Sequence, residues 1–251
     1  MSKHSLSRTE LLIGKDALEK LAKSKVMVFG VGGVGSFAVE ALARSGVGNL
    51  ILVDNDTVCI TNLNRQIHAT YNTVDKNKVE VMKERILSVN KNCKVETIQV
   101  FVTPDNLDEI IPEHVDYIVD AIDTISSKIA LAVYCEEKGI KLISSMGTGN
   151  KLNPAEFKVS DIYNTKVCPL AKVMRYELRK RGVKKLKVVY SEEMPRKPIV
   201  SEEDKKKEES PKEGKVVITK RQTPGSMSFV PPVAGMIIAS EVVKDLIKEY
   251  I

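Results

Sequence analysis

Gly30, Gly32 and Gly35 are spaced as G-x-G-x-x-G, with Gly33 inside the run. Glycines at this spacing let the backbone turn tightly and come close to a phosphate. A helix opening directly after them offers free N–H groups and a partial positive charge. Asp54 stands 19 residues beyond Gly35 and can accept hydrogen bonds from a ribose hydroxyl. The residues that follow are dense in polar groups, with Asp56, Asn62, Arg65 and Gln66 within twelve positions of Asp54. A hydride-transferring enzyme has no need of such a cluster here, whereas a triphosphate site does. Arg65 brings a planar donor fork suited to phosphate. Lys78 brings a second positive charge. Asp123 is a carboxylate of the kind that holds Mg²⁺ together with phosphate oxygens.

These side chains need a frame that holds them together. Residues 10–24 read as a helix, 25–29 as a strand leading into the glycine run, and 36–45 as a helix closed by Gly46. Strands are expected at 49–53, 95–102, 116–121 and 141–144, with helices at 75–90 and 126–138. Strand alternating with helix predicts an α/β, Rossmann-like, doubly wound sheet, parallel in its first half. Strands at 157–161, 186–190 and 215–219 then extend it in antiparallel fashion. A helix at 231–251 closes the chain, with Met236, Ile237, Val242, Val243 and Leu246 expected to pack on the sheet. The whole chain, 1–251, reads as one domain. Residues 196–215 hold 13 charged residues in 20, of both signs. They read as a solvated loop compatible with disorder.

Composition narrows the function classes. At 251 residues, 43% hydrophobic and 29% charged, the chain can bury a real core, which rules out disorder as a general description. No run of eighteen apolar residues is present, so integral membrane association is not expected. Residues 1–12 lack the apolar stretch of a secretory signal, so a cytoplasmic location is expected. Cys59, Cys93, Cys135 and Cys168 are far apart without a C-x-x-C pair, which argues against zinc and against a disulfide framework. The net charge of +6 is concentrated. Residues 172–187 carry eight cations (Lys172, Arg175, Arg179, Lys180, Arg181, Lys184, Lys185 and Lys187) against Glu177 alone. Such a patch suggests a polyanionic partner. If this stretch is helical, Lys172, Arg175 and Arg179 share one face, opposite Leu170, Met174 and Leu178.

The runs G-x-G-G-x-G, D-x-D-x-V-x-x-x-N-x-N-R-Q and D-A-x-D, with Lys78 between the last two, resemble the ThiF/MoeB/E1 superfamily of ATP-dependent adenylating enzymes. The N-terminal Arg8-Thr-Glu-Leu-Leu-Ile-Gly14 and the C-terminal Pro232-Val-Ala-Gly fit it as well, so the likeness spans nearly the whole chain. Asn64-Arg-Gln-Ile-His-Ala69, Phe101-Val-Thr-Pro-Asp-Asn106, Asp120-Ala-Ile-Asp123 and Cys168-Pro-Leu-Ala171 resemble the TcdA (CsdL-like) branch. That branch dehydrates threonylcarbamoyladenosine at position 37 of tRNA.

The resemblance implies ATP and Mg²⁺ as cofactors and tRNA carrying threonylcarbamoyladenosine as partner. Gly30, Gly32, Gly33, Gly35 and Asp54 would hold adenosine and ribose, with Asp56, Asn62 and Gln66 supporting the pocket. Arg65 and Lys78 would contact the phosphates, and Asp123 would place the metal. Arg8 would reach into a partner subunit's site, which implies a homodimer. A sulfur-relay protein is admitted as a further partner. The alternative is an E1-like enzyme that adenylates the C-terminal glycine of a ubiquitin-like sulfur carrier. The basic residues Lys172, Arg175, Arg179, Lys180, Arg181, Lys184 and Lys185 favour tRNA, through salt-dependent backbone contacts. A carboxylate is already ionised at neutral pH, so its activation requires no catalytic histidine. His4 and His114 read as exposed or structural, and His68 lies nearest the site. Cys168 and Cys59 have no required task.

Overall fold

The computed structural model describes residues 4–199 and 224–250. The chain opens with α1 (Ser7–Lys23), divided by Gly14 at φ +80°. It continues through β1 (Lys25–Phe29), α2 (Gly35–Arg44), β2 (Asn49–Val53), α3 (Lys78–Val89) and β3 (Lys94–Ile98). Next come α4 (Leu107–Ile110), β4 (Tyr117–Asp120), α5 (Ile125–Lys138) and β5 (Leu142–Ser145). The last part holds β6 (Phe157–Asp161), α6 (Pro169–Lys180), β7 (Lys187–Ser191) and the C-terminal α7 (Val230–Leu246).

The strands form one sheet in the order β3-β2-β1-β4-β5-β7-β6. Strand order reverses between β1 and β4, and open α/β sheets bind ligands in the crevice beyond the carboxyl ends of such a pair. Alternation along β1 serves two cores. Val26 and Val28 face the core that also holds Ile238 and Val242 of α7, and Met27 and Phe29 face the one that holds Leu131 and Cys135 of α5. With both faces covered, β1, β2 and β4 are buried almost throughout.

The doubly wound sheet is present as expected, but the strand expected at 186–190 is not antiparallel to the sheet's first half. β7 joins β5 in parallel, and only the edge strand β6 runs antiparallel, against β7. The reason is α6, which lies between β6 and β7 and returns the chain to the starting rim of the sheet. The strand expected at 215–219, and the charged loop from residue 200 onward, lie outside the described residues.

Three elements are shorter than their patterns suggest, among them the closing helix expected at 231–251, which ends at Leu246. The helix expected from 75 begins at Lys78 because the preceding residues pair with the polar loop instead. Asp75 N–H donates to Val58 O at 2.8 Å, Val58 N–H to Lys76 O at 2.8 Å, and Lys78 N–H to Asp56 O at 3.1 Å. β3 stops at Ile98, opposite the end of β2 at Val53. In α7, Val242 and Leu246 are buried as expected, but Met236 is 45% exposed. It lines an apolar groove with Leu12 of α1. The face of α7 that meets α2 is the one bearing Gly235, where a Cβ would lie 2.3 Å from Val34 O.

Candidate active site

The glycine run divides its work. Gly30 has φ +85°, and a Cβ there would lie 2.6 Å from Ala121 O. A Cβ on Gly35 would lie 1.8 Å from Gly30 O. These two allow β1, β4 and α2 to close on one another. Gly32 faces open space, its nearest would-be contact being Gln66 Nε2 at 4.0 Å. It leaves the backbone accessible beside the N-terminus of α2, whose first turn has no side-chain cap and no acidic residue. Unpaired N–H groups in such a place favour an anion. A Cβ on Gly33 would press on Pro231 of α7 at 3.0 Å and on the Arg65 stem at 3.3 Å. Arg65 is thereby laid across the loop, and its guanidinium donates to Thr61 O and Asn64 Oδ1, both at 2.9 Å.

Asp54 ties the glycine loop to the polar loop. Its carboxylate accepts from Val31 N–H at 2.7 Å and from Asp56 N–H at 2.9 Å. Burial pushes its pKa above the ordinary carboxylate value, against the opposing charge of Lys78. Lys78 is itself buried, with Nζ 2.7 Å from Asp56 Oδ2 and 4.0 Å from Asp54 Oδ1. Asn62, also buried, accepts from Cys59 N–H at 3.0 Å and so closes the short turn that delivers Arg65. Asn64 Nδ2 donates to Ser226 O at 3.0 Å, and Asn150 exchanges hydrogen bonds with Gly225. The loop after β5 and the segment before α7 thus converge on the same rim.

Asp123 is exposed beyond the end of β4, with Thr124 Oγ1 at 3.4 Å. Among the described residues, no three His, Cys, Asp or Glu groups converge into a metal cluster. A single open carboxylate is the donor set that suits an ion taking its other ligands from phosphates and water. Asp120, three residues earlier, is buried and serves a different purpose. It meets Lys128 Nζ at 2.9 Å, Ser144 Oγ at 2.6 Å and Ile122 N–H at 3.1 Å. Lys128 is fully buried and also donates to Ile122 O at 3.2 Å. This pair fixes the turn that presents Asp123. Lys128 is absent from the residues singled out by sequence, although a lysine among the apolar positions of a helix is a usable signal.

Gln66 and His68 are buried next to this cluster, and Gln66 Oε1 and both His68 ring nitrogens have no hydrogen-bond partner among the described residues. Burial, with Lys78 and Arg85 nearby, lowers the His68 pKa to about 4, so its ring is neutral at physiological pH. His4 pairs with Glu10 at 2.7 Å and His114 is exposed. Cys168 is buried at the start of α6. Cys59 is exposed, and a hydrogen bond from the Thr61 hydroxyl lowers its thiol pKa. Arg8 is exposed on the first turn of α1, with no hydrogen bond or ion pair to the cluster among the described residues.

The basic segment is less uniform than its charge count suggests. Met174 and Leu178 are buried as expected, whereas Leu170 is half-buried. Lys172, Arg175 and Arg179 do not form a row of free cations. Arg175 is half-buried and donates to Thr165 O at 3.0 Å, and Arg179 lies over the Tyr163 ring at 5.2 Å. Arg181 pairs with Glu177. Lys187 belongs to a separate network at the opposite rim, 2.7 Å from Asp245 and 3.3 Å from Glu241. Lys172, Lys184 and Lys185 are exposed, with no ion pair among the described residues.

The chain is similar to known proteins along nearly its whole length. It is 49% identical over 98% of its length to the tRNA threonylcarbamoyladenosine dehydratase of Bacillus subtilis, of which 96% is covered. The E. coli tRNA N6-threonylcarbamoyladenosine dehydratase TcdA, solved with AMP, superposes with a TM-score of 0.83 at 34% identity, covering 96% of this chain and 93% of that one. The same E. coli protein solved with ATP gives a TM-score of 0.83 at 33% identity, covering 98% and 94%. The ThiF family model matches residues 6–250, so the glycine loop, the polar loop and the braced Asp123 turn all fall within it, and the chain belongs to the ThiF family.

Proposed function

We propose that this protein is a single adenylation domain that uses ATP to dehydrate threonylcarbamoyladenosine in tRNA. The observation that carries the reading is the Lys78–Asp56–Asp54 cluster beside an open glycine loop, with Arg65 laid across Gly33. Together these groups set two cations around an uncapped helix N-terminus. Backbone N–H groups at Gly32 and beyond would hold phosphate, Asp54 would meet the ribose, and Gln66 and Asn62 would shape the pocket floor.

A carboxylate is a poor electrophile because its oxygen leaves badly. In the reaction proposed, a carboxylate oxygen of the nucleoside attacks the α-phosphorus of ATP and pyrophosphate departs. The acyl-adenylate then closes on an N–H or O–H nucleophile of the same nucleoside, which gives up its proton to solvent as AMP carries the oxygen away. Negative charge builds on the phosphoryl oxygens during the first step, where Arg65 and Lys78 would stabilise it. Positioning supplies the remainder, since no proton need be removed from an ionised carboxylate. Asp123 fits the role of a Mg²⁺ ligand, the ion neutralising phosphate charge when bound.

A homodimer, with Arg8 reaching the partner's site, is supported by an apolar face that the single chain leaves open. Leu11 and Leu12 of α1 are 66% and 84% exposed, and Leu12, Met236 and Val243 line a groove of about 530 Å³. No helix among the described residues is long and apolar enough to cross a membrane, and a cytoplasmic site of action accords with a tRNA substrate.

The test is mass spectrometry of nucleosides from tRNA bearing threonylcarbamoyladenosine after incubation with the protein, ATP and Mg²⁺. The expected result is loss of one water from that nucleoside, dependent on ATP, with AMP and pyrophosphate released. An unchanged nucleoside, together with pyrophosphate exchange driven by a sulfur carrier ending in Gly-Gly, would replace the reading with the E1-like alternative.

A further inference from the structure

The outer face of α6 carries apolar residues among its cations. Val173 and Tyr176, three residues apart and so neighbours on one helix face, are 42% and 59% exposed. The inner face already holds Ala171, Met174 and Leu178, so these two are not part of that core. Lys180 Nζ lies 4.0 Å from the centroid of the Tyr176 ring, which gives the ring a fixed neighbour and a positive charge beside it. Lys172 is exposed on the same helix, and Lys166, Lys184 and Lys185 are exposed in the segments that enter and leave it.

The helix also has a direction relative to the site. Its start, at Cys168, lies beside Gly147 just past the end of β5, at the ligand-binding rim. Its end leads to Lys187, where β7 begins at the opposite rim. Twelve helical residues span about 18 Å. The surface therefore runs from the neighbourhood of the proposed active site down the flank of the molecule.

We propose that this face of α6 binds an unpaired RNA segment, with Lys166, Lys172, Lys184 and Lys185 along the phosphates and Tyr176 against a base. The inference rests on the tRNA reading above and adds where the strand lies and in what form. A duplex keeps its bases stacked inside and would gain nothing from an exposed tyrosine and valine. A single strand stacks its bases on such a side chain. A second copy of the chain is disfavoured as occupant, because the exposed Lys172, Lys180, Lys184 and Lys185 would repel their own like.

The experiment titrates the full chain with tRNA, with a single-stranded RNA and with an RNA duplex of equal charge, over a range of salt. Tyr176→Ala is expected to weaken single-strand binding about tenfold. Tyr176→Phe should bind as the unaltered chain does. Replacing Lys172, Lys184 and Lys185 together by Gln should flatten the slope of log affinity against log salt by about 2. Nucleotide affinity in each variant reports that the fold is intact. Single-strand binding unaffected by Tyr176→Ala, or a duplex that competes as well as a single strand, would overturn the proposal. So would a change of oligomeric mass in Tyr176→Ala with RNA binding intact, which would assign the face to protein contact. If the unaltered chain converts the tRNA nucleoside while these variants bind normally, only the surface assignment fails. If the unaltered chain neither binds nor converts tRNA, the reading beneath it fails as well.

Discussion

The cations of the polar loop and those of α6 are the same residue types put to opposite use. Lys78 is held under the protein surface by two carboxylates, one of them buried with it, and its position is set before any ligand arrives. Lys172, Lys184 and Lys185 stand in solvent, and nothing among the described residues fixes their heads. A buried charge is expensive to desolvate and is tolerated only where partners compensate it. In return it acts through a weakly screened medium. An exposed charge costs little, is screened within about 10 Å at moderate salt, and adapts to whatever partner comes. The proposed nucleotide site thus reads as a place where geometry is set in advance, and the proposed RNA face of α6 as a place where affinity is collected from many weak contacts.

The sharpest way to break this contrast is to remove one charge from each side. Lys78→Met, or Arg65→Ala, should lower the rate of AMP formation in a single turnover by at least about 100-fold, since one preorganised charge contact at a developing oxyanion carries that much. The circular dichroism spectrum should remain that of the unaltered chain, and raised salt should not rescue the rate. A loss smaller than tenfold would place the phosphates elsewhere. The contrast predicts that no single lysine of α6 approaches this effect.

A second test uses protons. His68 has an ordinary pKa near 6.5 and a folded value of about 4, lowered by burial and by the Lys78 and Arg85 charges. The unfolded chain therefore binds more protons than the folded one between these values. The stability that depends on a neutral His68 is complete above pH 6.5 and is lost progressively as the pH falls toward 4. The full loss is about 3 kcal/mol, because every tenfold change in a protonation equilibrium corresponds to about 1.4 kcal/mol. Denaturant unfolding at a series of pH values checks it, with His68→Leu expected to flatten the curve in that window. A His68→Leu curve parallel to that of the unaltered chain would mean that the imidazole is solvated in the folded state.

How much of this is legible in the sequence follows the same division. That the glycine run, Asp54, Arg65 and Lys78 come together is readable because it follows from local spacing after a strand and before a helix. The parallel half of the sheet is readable for the same reason, through alternating strand and helix patterns. What fails to show depends on partners distant in the chain. Lys128 acquires its meaning from Asp120 and Ser144, which only the β4–β5 pairing brings to it. The parallel placing of β7 requires knowing that α6 crosses over. Met236 looks like a core residue by period, yet it lies on the outer side of α7 because Gly235 is the position that contacts α2. Arg175 and Arg179 look available for RNA, but Thr165 and Tyr163, contributed by the preceding segment, engage them. Charge can be counted from a sequence; whether a charge is free is decided by packing.

The smallest expected effect is also the one with the most telling sign. Glu177 is the single acid among residues 172–187, and it faces Arg181 one turn later across an exposed i,i+4 pair. Such pairs contribute about 0.3–0.5 kcal/mol, so Glu177→Gln should leave the unfolding free energy within about 0.5 kcal/mol of its starting value. The same change releases Arg181 and removes a negative charge from the helix that carries the proposed RNA surface. Affinity for tRNA should therefore rise, by roughly two- to fivefold at low salt, with the gain fading as salt approaches molar concentration. An isothermal titration at two salt concentrations decides it. Weaker binding in Glu177→Gln would show that Arg181 works only when held in position, and α6 would then resemble the nucleotide pocket more than it opposes it.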